Sequence, residues 1–427
     1  MFTRFRSMTA TAMAAALGCA LVATAPAAMA QKNKKEEAKK GSSINPSKGF
    51  TPAVKKMIDA SNAKDAAALE AAIAEGQGTA STAEDRYWLA YYELQLGIQK
   101  KDQVLQGKGL DAMIDSGLAP ADGLAAYNFY SGNFAYGDKN YAKTVQRLEA
   151  AKAAGSAEPQ LDVLLMDSYL QLGQVDQGIA LAKAAIEARR AAGQRPSDEL
   201  YVRPIRALQT AKRNEEVLDL MTLRMRDYNQ PEVWRQTLFT LLQQSGENKE
   251  IALDTLRLMR ATGAMLQRPE YLEYAGLATE AALPGEVVAL IKAGKASNVI
   301  PQADARLDEI AKAQAERIGD EESTLTAYAA RPQTLSNPRV AGATGDAMVG
   351  YGRYADAVPL YKAALAAGGD KELWTYRLGV AQALAGDAAG AKASFAEVSG
   401  ARKRLAQLWT VKLDSAVAPA PAAATTS

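Results

Sequence analysis

The side chains that most often carry enzyme chemistry are almost absent from this chain. Its 427 residues include no histidine and a single cysteine, Cys19. Without an imidazole there is no histidine base and no histidine metal ligand, and one thiol forms neither an internal disulfide nor a thiolate zinc site. Phosphate-binding glycine loops and G-x-S-x-G nucleophile motifs are missing from the sequence as well. We therefore predict no catalytic residue, no metal site and no cofactor site.

Carboxylates are the remaining candidates for chemistry. Adjacent acids occur at Glu215-Glu216 and Glu321-Glu322, and a buried carboxyl group with a raised pKa can cleave a glycosidic bond. Each pair opens a predicted helix, where the helix dipole favours acidic residues, and no segment resembles a compact lysozyme-like domain. We predict that the protein is not an enzyme. The alternative is an envelope-remodelling factor that binds or cleaves peptidoglycan, similar to a superhelical transglycosylase.

Residues 1–30 are predicted to be a cleaved signal peptide. Arg4 and Arg6 precede an apolar stretch, and Ala28-Met29-Ala30 forms an A-x-A cleavage site. The bacterial style of this signal predicts export to the periplasm. Cys19 would leave with the signal peptide; the alternative, in which Cys19 is a lipid-modified first residue, lacks the usual leucine three places before it.

The rest of the chain carries 48 basic and 48 acidic residues, so it offers no general attraction to nucleic acid or to an anionic membrane surface. Residues 31–50 form a lysine-rich leader that is predicted to be disordered, and residues 415–427, rich in Ala and Pro, form a similar tail. No stretch after the signal peptide is long and apolar enough to span a bilayer.

Between the leader and the tail, apolar-periodic segments of about a dozen residues alternate with Gly, Asp or Asn turns, which predicts helical hairpins. The strongest signal is a period of 34 residues, found independently in two parts of the chain. The pairs that show it are Gly132/Met166, Tyr141/Val175, Leu148/Ala182 and Ala151/Ala185, and Gly345/Gly379, Gly352/Gly386, Ala357/Ala391 and Tyr361/Phe395. We predict one array over residues 51–414, with about ten hairpins, its clearest repeats at 125–192 and 338–399, and a polar-faced terminal helix at 401–413.

These repeats resemble the tetratricopeptide repeat. The matching residues are Leu165-Met166, Tyr169, Gly173 and Ile186; Gly345, Gly352-Arg353-Tyr354, Ala357, Tyr361 and Ala364-Leu365; and Leu378-Gly379, Gly386-Asp387, Ala391 and Phe395. The usual tryptophan is displaced or missing, Trp374 lying one place away, and the closing proline is mostly absent. The resemblance implies an all-α fold, a right-handed α–α superhelix of tetratricopeptide-like hairpins.

In proteins of this family the first helix of each hairpin lines a groove that takes a peptide or a partner helix. Carried over by place in the repeat, this implies a groove lined by seven residues: Phe129, Asn133, Tyr136, Val163, Asp167, Tyr376 and Arg377. Aromatic residues crowd two of the predicted helices, at 87–92 and 127–136. Adjacent helical residues face different ways, so some of these rings belong to the core and others to the groove.

The sequence predicts a non-enzymatic periplasmic scaffold that binds protein or peptide partners along the inner face of the superhelix. By analogy it would serve a cell-envelope complex. The partner, and the helical face that binds it, stay open at this stage.

Overall fold

The computed structural model describes residues 44–318 and 321–417. In these residues the chain is built from helices and turns, without a β-strand. The prediction of an all-α fold of helical hairpins is confirmed. The predicted signal peptide, most of the lysine-rich leader and the end of the predicted tail lie outside the described residues.

Two compact units divide the chain, with the boundary between Arg213 and Asn214. The helices of unit 1 are α1 Thr51–Asn62, α2 Ala66–Gln77, α3 Ala83–Lys100, α4 Gln103–Asp115, α5 Leu124–Gly137, α6 Tyr141–Ala153, α7 Leu161–Gln171, α8 Val175–Ala191 and α9 Glu199–Thr210. Those of unit 2 are α10 Asn214–Asp227, α11 Pro231–Gln244, α12 Lys249–Ala261, α13 Arg268–Glu280, α14 Pro284–Ala296, α15 Ala305–Ile318, α16 Glu321–Ala329, α17 Pro332–Ser336, α18 Pro338–Gly350, α19 Tyr354–Ala366, α20 Lys371–Leu384, α21 Ala388–Ala396, the short 3₁₀ helix Gly400–Arg402 and α22 Lys403–Val417.

One hairpin in each unit shows the same close contact between its two helices. A Cβ atom added to Gly132 of α5 would lie 2.7 Å from Leu148 of α6, and one added to Gly379 of α20 would lie 2.6 Å from the ring of Phe395 in α21. In each case the glycine precedes the large side chain by 16 residues. In these two hairpins the repeat glycine therefore marks the point where the paired helices cross, because only glycine leaves room for the facing side chain.

The core of unit 1 is rich in aromatic side chains. Tyr127, Phe129 and Tyr130 of α5 are at most 1% exposed, and they belong to a cluster that also includes Trp88 of α3 and Leu148 of α6. Most of the aromatic residues at 87–92 and 127–136 are thus core residues rather than groove residues.

Residues 44–50 correct the predicted extent of the leader. Phe50 is fully buried, Ser47 donates from its backbone N to Asp85 over 2.8 Å, and the indole Nε1 of Trp88 donates to the carbonyl of Ile44 over 3.0 Å. This segment folds against α3 because it supplies one large apolar side chain and the donors that the buried carboxylate of Asp85 requires.

The last helix of unit 2 packs against helices from the first part of the same unit. The sequence predicts a polar-faced terminal helix, but α22 buries Leu405, Leu408, Trp409 and Val411 to 2% exposure or less. It packs against α10 and α12 as well as against α20 and α21. The last helix therefore completes the core of unit 2 instead of covering its end.

Candidate functional site

An open groove runs along one side of unit 1, between the C-terminal ends of α5 and α7 and one face of α9. We call it the N-terminal groove; its volume is about 980 Å³, at the upper end of typical ligand sites. The lining residues used below are Tyr136, Asp167, Glu199, Val202, Arg203 and Arg206.

The groove is positioned by helices that occupy equivalent places in successive hairpins. Helix α7 packs against both α5 and α9, so the ends of the three helices form one continuous surface. On α9, Leu200, Tyr201 and Leu208 are buried, and this apolar side fixes the helix on the core. Val202 and Arg206, four residues apart, therefore project together from the opposite side.

Three side chains of the groove form a closed hydrogen-bonded network. The hydroxyl of Tyr136 donates to Oδ2 of Asp167 over 2.5 Å, and Nη1 of Arg203 donates to the hydroxyl of Tyr136 over 2.9 Å. The same Nη1 lies 2.8 Å from Oδ2 of Asp167, and Nη2 lies 3.3 Å from Glu199. The positive charge of Arg203 is thus neutralised within the protein, and its guanidinium is held in one orientation.

Burial and these partners shift the acid–base behaviour of the network. Burial and the hydrogen bond to Asp167 raise the pKa of Tyr136 to about 12. Burial alone would lower the pKa of Arg203, but the adjacent Asp167 carboxylate and Tyr136 outweigh it and raise that pKa above its usual value. Tyr136 is therefore a neutral donor and Arg203 a fixed cation at physiological pH.

Beside the network lie an exposed aliphatic side chain and an unpaired cation. Val202 is 43% exposed. Arg206 is exposed, and its guanidinium has no ion pair or hydrogen bond with any described residue. The groove thus combines exposed aliphatic surface with an arginine that has no partner among the described residues, in a lining that also carries the acids Asp167, Asp198 and Glu199.

Unit 2 holds a second concentration of charge, which we call the central ionic cluster: Asp254 and Arg257 on α12, Glu286 on α14, Asp346 on α18, Arg377 on α20 and Arg402. Arg257 binds Glu286 through two parallel hydrogen bonds of 2.9 and 2.8 Å. The Nε of Arg402 donates to Asp254 over 2.9 Å, and Arg377 pairs with Asp346. Three arginines thus face three carboxylates, and Arg402 is also paired with Glu250 and Glu372.

The cluster is largely removed from water. The side chains of Asp254 and Glu286 are 1% and 4% exposed. Burial alone would raise the pKa of Glu286, but Arg257 outweighs it and lowers that pKa; burial raises the pKa of Asp346 despite its pairing with Arg377. Such a network joins helices together and leaves little charge for an external partner.

A pocket of about 800 Å³ lies at one edge of this cluster, next to Asp346 and Arg377. Trp374 and Arg377 line it, and the guanidinium of Arg377 lies 5.6 Å from the centre of the Trp374 ring. Arg377 is therefore engaged on two sides, by the carboxylate of Asp346 and by the indole ring.

The structure separates the seven residues predicted to line a groove. It brings together Tyr136 and Asp167, which are hydrogen-bonded to each other. Asn133 is half-buried one turn before Tyr136 on α5.

Four of the predicted groove residues are buried. Asp167, 5% exposed, still lines the N-terminal groove, whereas the burial of the other three corrects their expected exposure. Phe129 and Tyr376 are 1% exposed and Val163 is 5% exposed. Phe129 packs edge to face against Tyr130, and Tyr376 accepts a hydrogen bond from Trp409 of α22. The physical reason is that neighbouring helices cover these side chains. The position of a residue in the repeat does not specify which side of its helix is covered. Arg377, in unit 2, belongs to the central ionic cluster.

Sequence reasoning missed the α9 residues that complete the N-terminal groove. Repeat spacing could not reach Val202, Arg203 and Arg206, because the 34-residue register is unclear beyond residue 192. A usable signal exists in the sequence: Leu200, Ile205 and Leu208 mark the buried side of a helix, which leaves Val202 as an aliphatic residue on the exposed side.

Of the paired acids, Glu215 lies on the surface of unit 2. The side chain of Glu215 is 83% exposed and lies 3.2 Å from Arg404, unlike the buried carboxyl group that glycan cleavage requires. Among the residues that the structure describes, no group of three or more acidic side chains is placed to hold a metal ion. Within the same residues, no helix combines the length and the apolar character needed to cross a membrane.

Comparison with known proteins gives only distant structural similarity. No family model matches the chain, and no curated protein matches it. A chain from a structure described as "Structure of Naa15/Naa10 bound to HypK-THB" aligns with a TM-score of 0.33 and 12% identity over 83% of this protein. This protein spans 63% of the length of that chain.

A second similar structure is described as "Crystal structure of APC/C hetero-tetramer Cut9-Hcn1". It aligns with a TM-score of 0.16 and 12% identity, covering 82% of this protein and 86% of the matched chain. Because both TM-scores are below 0.5, the description of the fold rests on the helical hairpins observed in this protein.

Proposed function

We propose that the protein is a non-catalytic scaffold that binds segments of partner proteins in the N-terminal groove. The observation that carries this proposal is the exposed surface of Val202 and Arg206 beside the ordered Tyr136–Asp167–Arg203 network. Rigid polar groups next to exposed apolar surface suit the recognition of a peptide segment. In unit 2, by contrast, the buried charges of the central ionic cluster are paired with one another.

The proposal includes export and service to a bacterial cell-envelope complex. Its support is the sequence of residues 1–30, with Arg4 and Arg6 before an apolar stretch and Ala28-Met29-Ala30 at its end. Expression of the full chain in a Gram-negative host, followed by fractionation and mass spectrometry, tests this part. We expect a periplasmic protein that begins at Gln31. A cytoplasmic protein that keeps residues 1–30 would contradict export. One that begins with a lipid-modified Cys19 would contradict the cleavage before Gln31.

Site-specific photocrosslinking tests the binding function. A photoreactive amino acid is placed at Val202, in the groove, and in a matched variant at Val104, which is 75% exposed in the same unit but outside the groove. We expect a discrete protein adduct in envelope extract from position 202 and none from position 104. If neither position gives an adduct, or both give the same adducts, the groove is not a specific binding surface.

A further inference from the structure

A further pocket of unit 2 lies between α16 and α18, and we call it the α16–α18 pocket. Its volume is about 540 Å³, within the range of small-molecule sites. It adjoins the pocket of about 800 Å³ at the edge of the central ionic cluster, with which it shares Arg339 and Asp346. The lining residues used below are Leu283, Leu325, Tyr328, Arg331, Arg339, Val340 and Asp346.

The inner wall of the pocket is apolar and is held in place by helix packing. Helix α18 packs against both α14 and α16. Leu283, just before α14, and Leu325 of α16 are each 6% exposed, so they line the pocket from the side of the core. Val340 of α18 is half-buried, and Tyr328 of α16 is 38% exposed. Apolar surface is therefore open to a ligand on both sides of the pocket.

Two arginines and one aspartate are the charged residues of the lining. The aspartate, Asp346, accepts a hydrogen bond of 2.7 Å from the hydroxyl of Tyr361 and pairs with Arg377, so its charge is compensated from within unit 2. The side chains of Arg331 and Arg339 have no ion pair or hydrogen bond with any described residue. The lining thus carries two available positive charges and no available negative one among these residues.

The charges and the apolar wall lie at different depths. Arg331 and Arg339 are exposed, whereas Leu283 and Leu325 are buried, so the cations are at the open side and the apolar residues at the inner side. The guanidinium carbon of Arg331 lies 5.2 Å from the centre of the Tyr328 ring. This contact holds the cation beside the apolar wall and leaves its N–H groups able to bind an anion.

We propose that the α16–α18 pocket binds small amphipathic anions, which are molecules with an aliphatic body and one carboxylate or phosphate head group. The aliphatic body covers Leu325 and Val340, and the head group pairs with the guanidiniums of Arg331 and Arg339. The volume of the pocket suits a small molecule better than a protein segment. This site belongs to unit 2 and does not depend on the function proposed for the N-terminal groove.

Isothermal titration calorimetry on the purified full chain tests the inference. Four probes share one aliphatic chain and differ in the head group: octanoate, octyl phosphate, octanol and octylamine, each below the concentration at which it forms micelles. Acetate and inorganic phosphate carry the charge without the chain. We expect octanoate or octyl phosphate to bind about tenfold more tightly than the uncharged, cationic and chainless probes, and less tightly at high salt. The tighter of the two identifies the head group.

Removal of the two positive charges supplies the decisive comparison. Arg339→Gln should weaken binding of the preferred anion about threefold, and the double variant with Arg331→Gln about tenfold. Neither should change the binding of octanol, because the apolar wall is kept. Lys362→Gln is the matched control for Arg339→Gln: it removes one positive charge at an exposed residue of α19 outside the pocket, and it should leave binding unchanged. Circular dichroism confirms that each variant is folded.

The inference is wrong if neither anion binds, or if octanol or octylamine binds as tightly as the better anion. Anion binding that persists in the double variant, or that falls equally in Lys362→Gln, would show that the two arginines do not form the site. A blocked peptide containing Leu-Glu that binds more tightly than octanoate would assign the pocket to protein segments instead. All of these results leave the binding function of the N-terminal groove to its own test, the photocrosslinking at Val202.

Discussion

The guanidinium of Arg402 lies 2.9 Å from the carboxylate of Asp254, although 148 residues separate them along the chain. Asp254 is on α12, near the beginning of unit 2, and Arg402 immediately precedes the last helix. Arg402 also reaches Glu250 over 2.9 Å, and its backbone N donates to Glu372 over 2.9 Å. One residue thus joins the first part of unit 2 to α20 and to the start of α22.

We expect Arg402→Ala to lower the free energy of unfolding by about 3–5 kcal/mol, because it leaves the buried carboxylate of Asp254 with only part of its compensation. Urea denaturation followed by circular dichroism measures the loss. Arg404→Ala is the control: Arg404 pairs with Glu215 and Asp219, whose side chains are 83% and 51% exposed, and it should cost less than about 1 kcal/mol. If the two variants lose the same free energy of unfolding, the burial of Arg402 does not increase its contribution to stability.

The attachment of residues 44–50 should depend on pH through Asp85. Burial acts to raise the pKa of Asp85, but hydrogen bonds from Ser47, Ser81 and Thr82 outweigh it and hold that pKa well below 3.8. The stabilisation is therefore fully present above the unfolded-state value of 3.8 and is lost as the pH falls below it.

Asp85→Asn should cost about 1–3 kcal/mol at about pH 6, since its amide group would face donors, and the difference from wild type should shrink at about pH 3. Urea unfolding at the two pH values checks this. Asp65→Asn, at the exposed N-cap of α2, should be nearly neutral because both residues cap helices well. A loss for Asp85→Asn that is the same at both pH values would contradict the assignment.

Tyr136→Phe should remove a proton donor from the network in the N-terminal groove and cost about 1–2 kcal/mol at neutral pH. The pKa of Tyr136 is raised from 10 to about 12, so the contribution of its hydroxyl is present below pH 10 and lost as the pH rises towards 12. The measurement is urea unfolding of both proteins across this range, with the phenolate absorbance difference as a second readout. A phenol that titrates near 10 in the folded protein would show that the bond to Asp167 does not form.

Gly379→Ala should lower stability by about 1–3 kcal/mol, because the new methyl group meets the ring of Phe395 at 2.6 Å. Replacing Phe395 by Leu in the same chain should recover part of the loss. Gly276→Ala is the contrasting change: nothing lies within 4 Å of its added Cβ, and alanine is the better helix former, so stability should rise by up to about 1 kcal/mol. Thermal unfolding distinguishes the two directions. If Gly379→Ala leaves the stability unchanged, the close approach of the two helices at this position is contradicted.

The sequence was most informative where contacts are local. The glycine of one helix and the large residue 16 places later, as in Gly379 and Phe395, reveal a hairpin because both partners lie within one repeat. Tyr136 and Asp167 were also identified by repeat position, and they lie in one groove. Burial of Phe129 and Tyr376 was not predictable in this way, since it depends on which side of each helix its neighbours cover.

Long-range pairing left no pattern in the sequence. Asp254 and Arg402 belong to segments that share no repeat register, and each is an ordinary charged residue of a helix or turn when considered alone. Their partnership follows from the path by which α22 returns to α12, and that path is a property of the assembled unit.

The packing of α22 against α10 and α12 affects how unit 2 folds and unfolds. An open array can gain or lose a hairpin at its end, and its repeats can unfold one after another. In unit 2 the terminal helix instead packs beside α10 and α12, so α22 cannot unfold without opening contacts with helices from the first part of the unit. The chain must close a loop of about 150 residues before Arg402 meets Asp254, which favours slow folding. Native-state hydrogen exchange should therefore show α12 and α22 opening together, as one cooperative block.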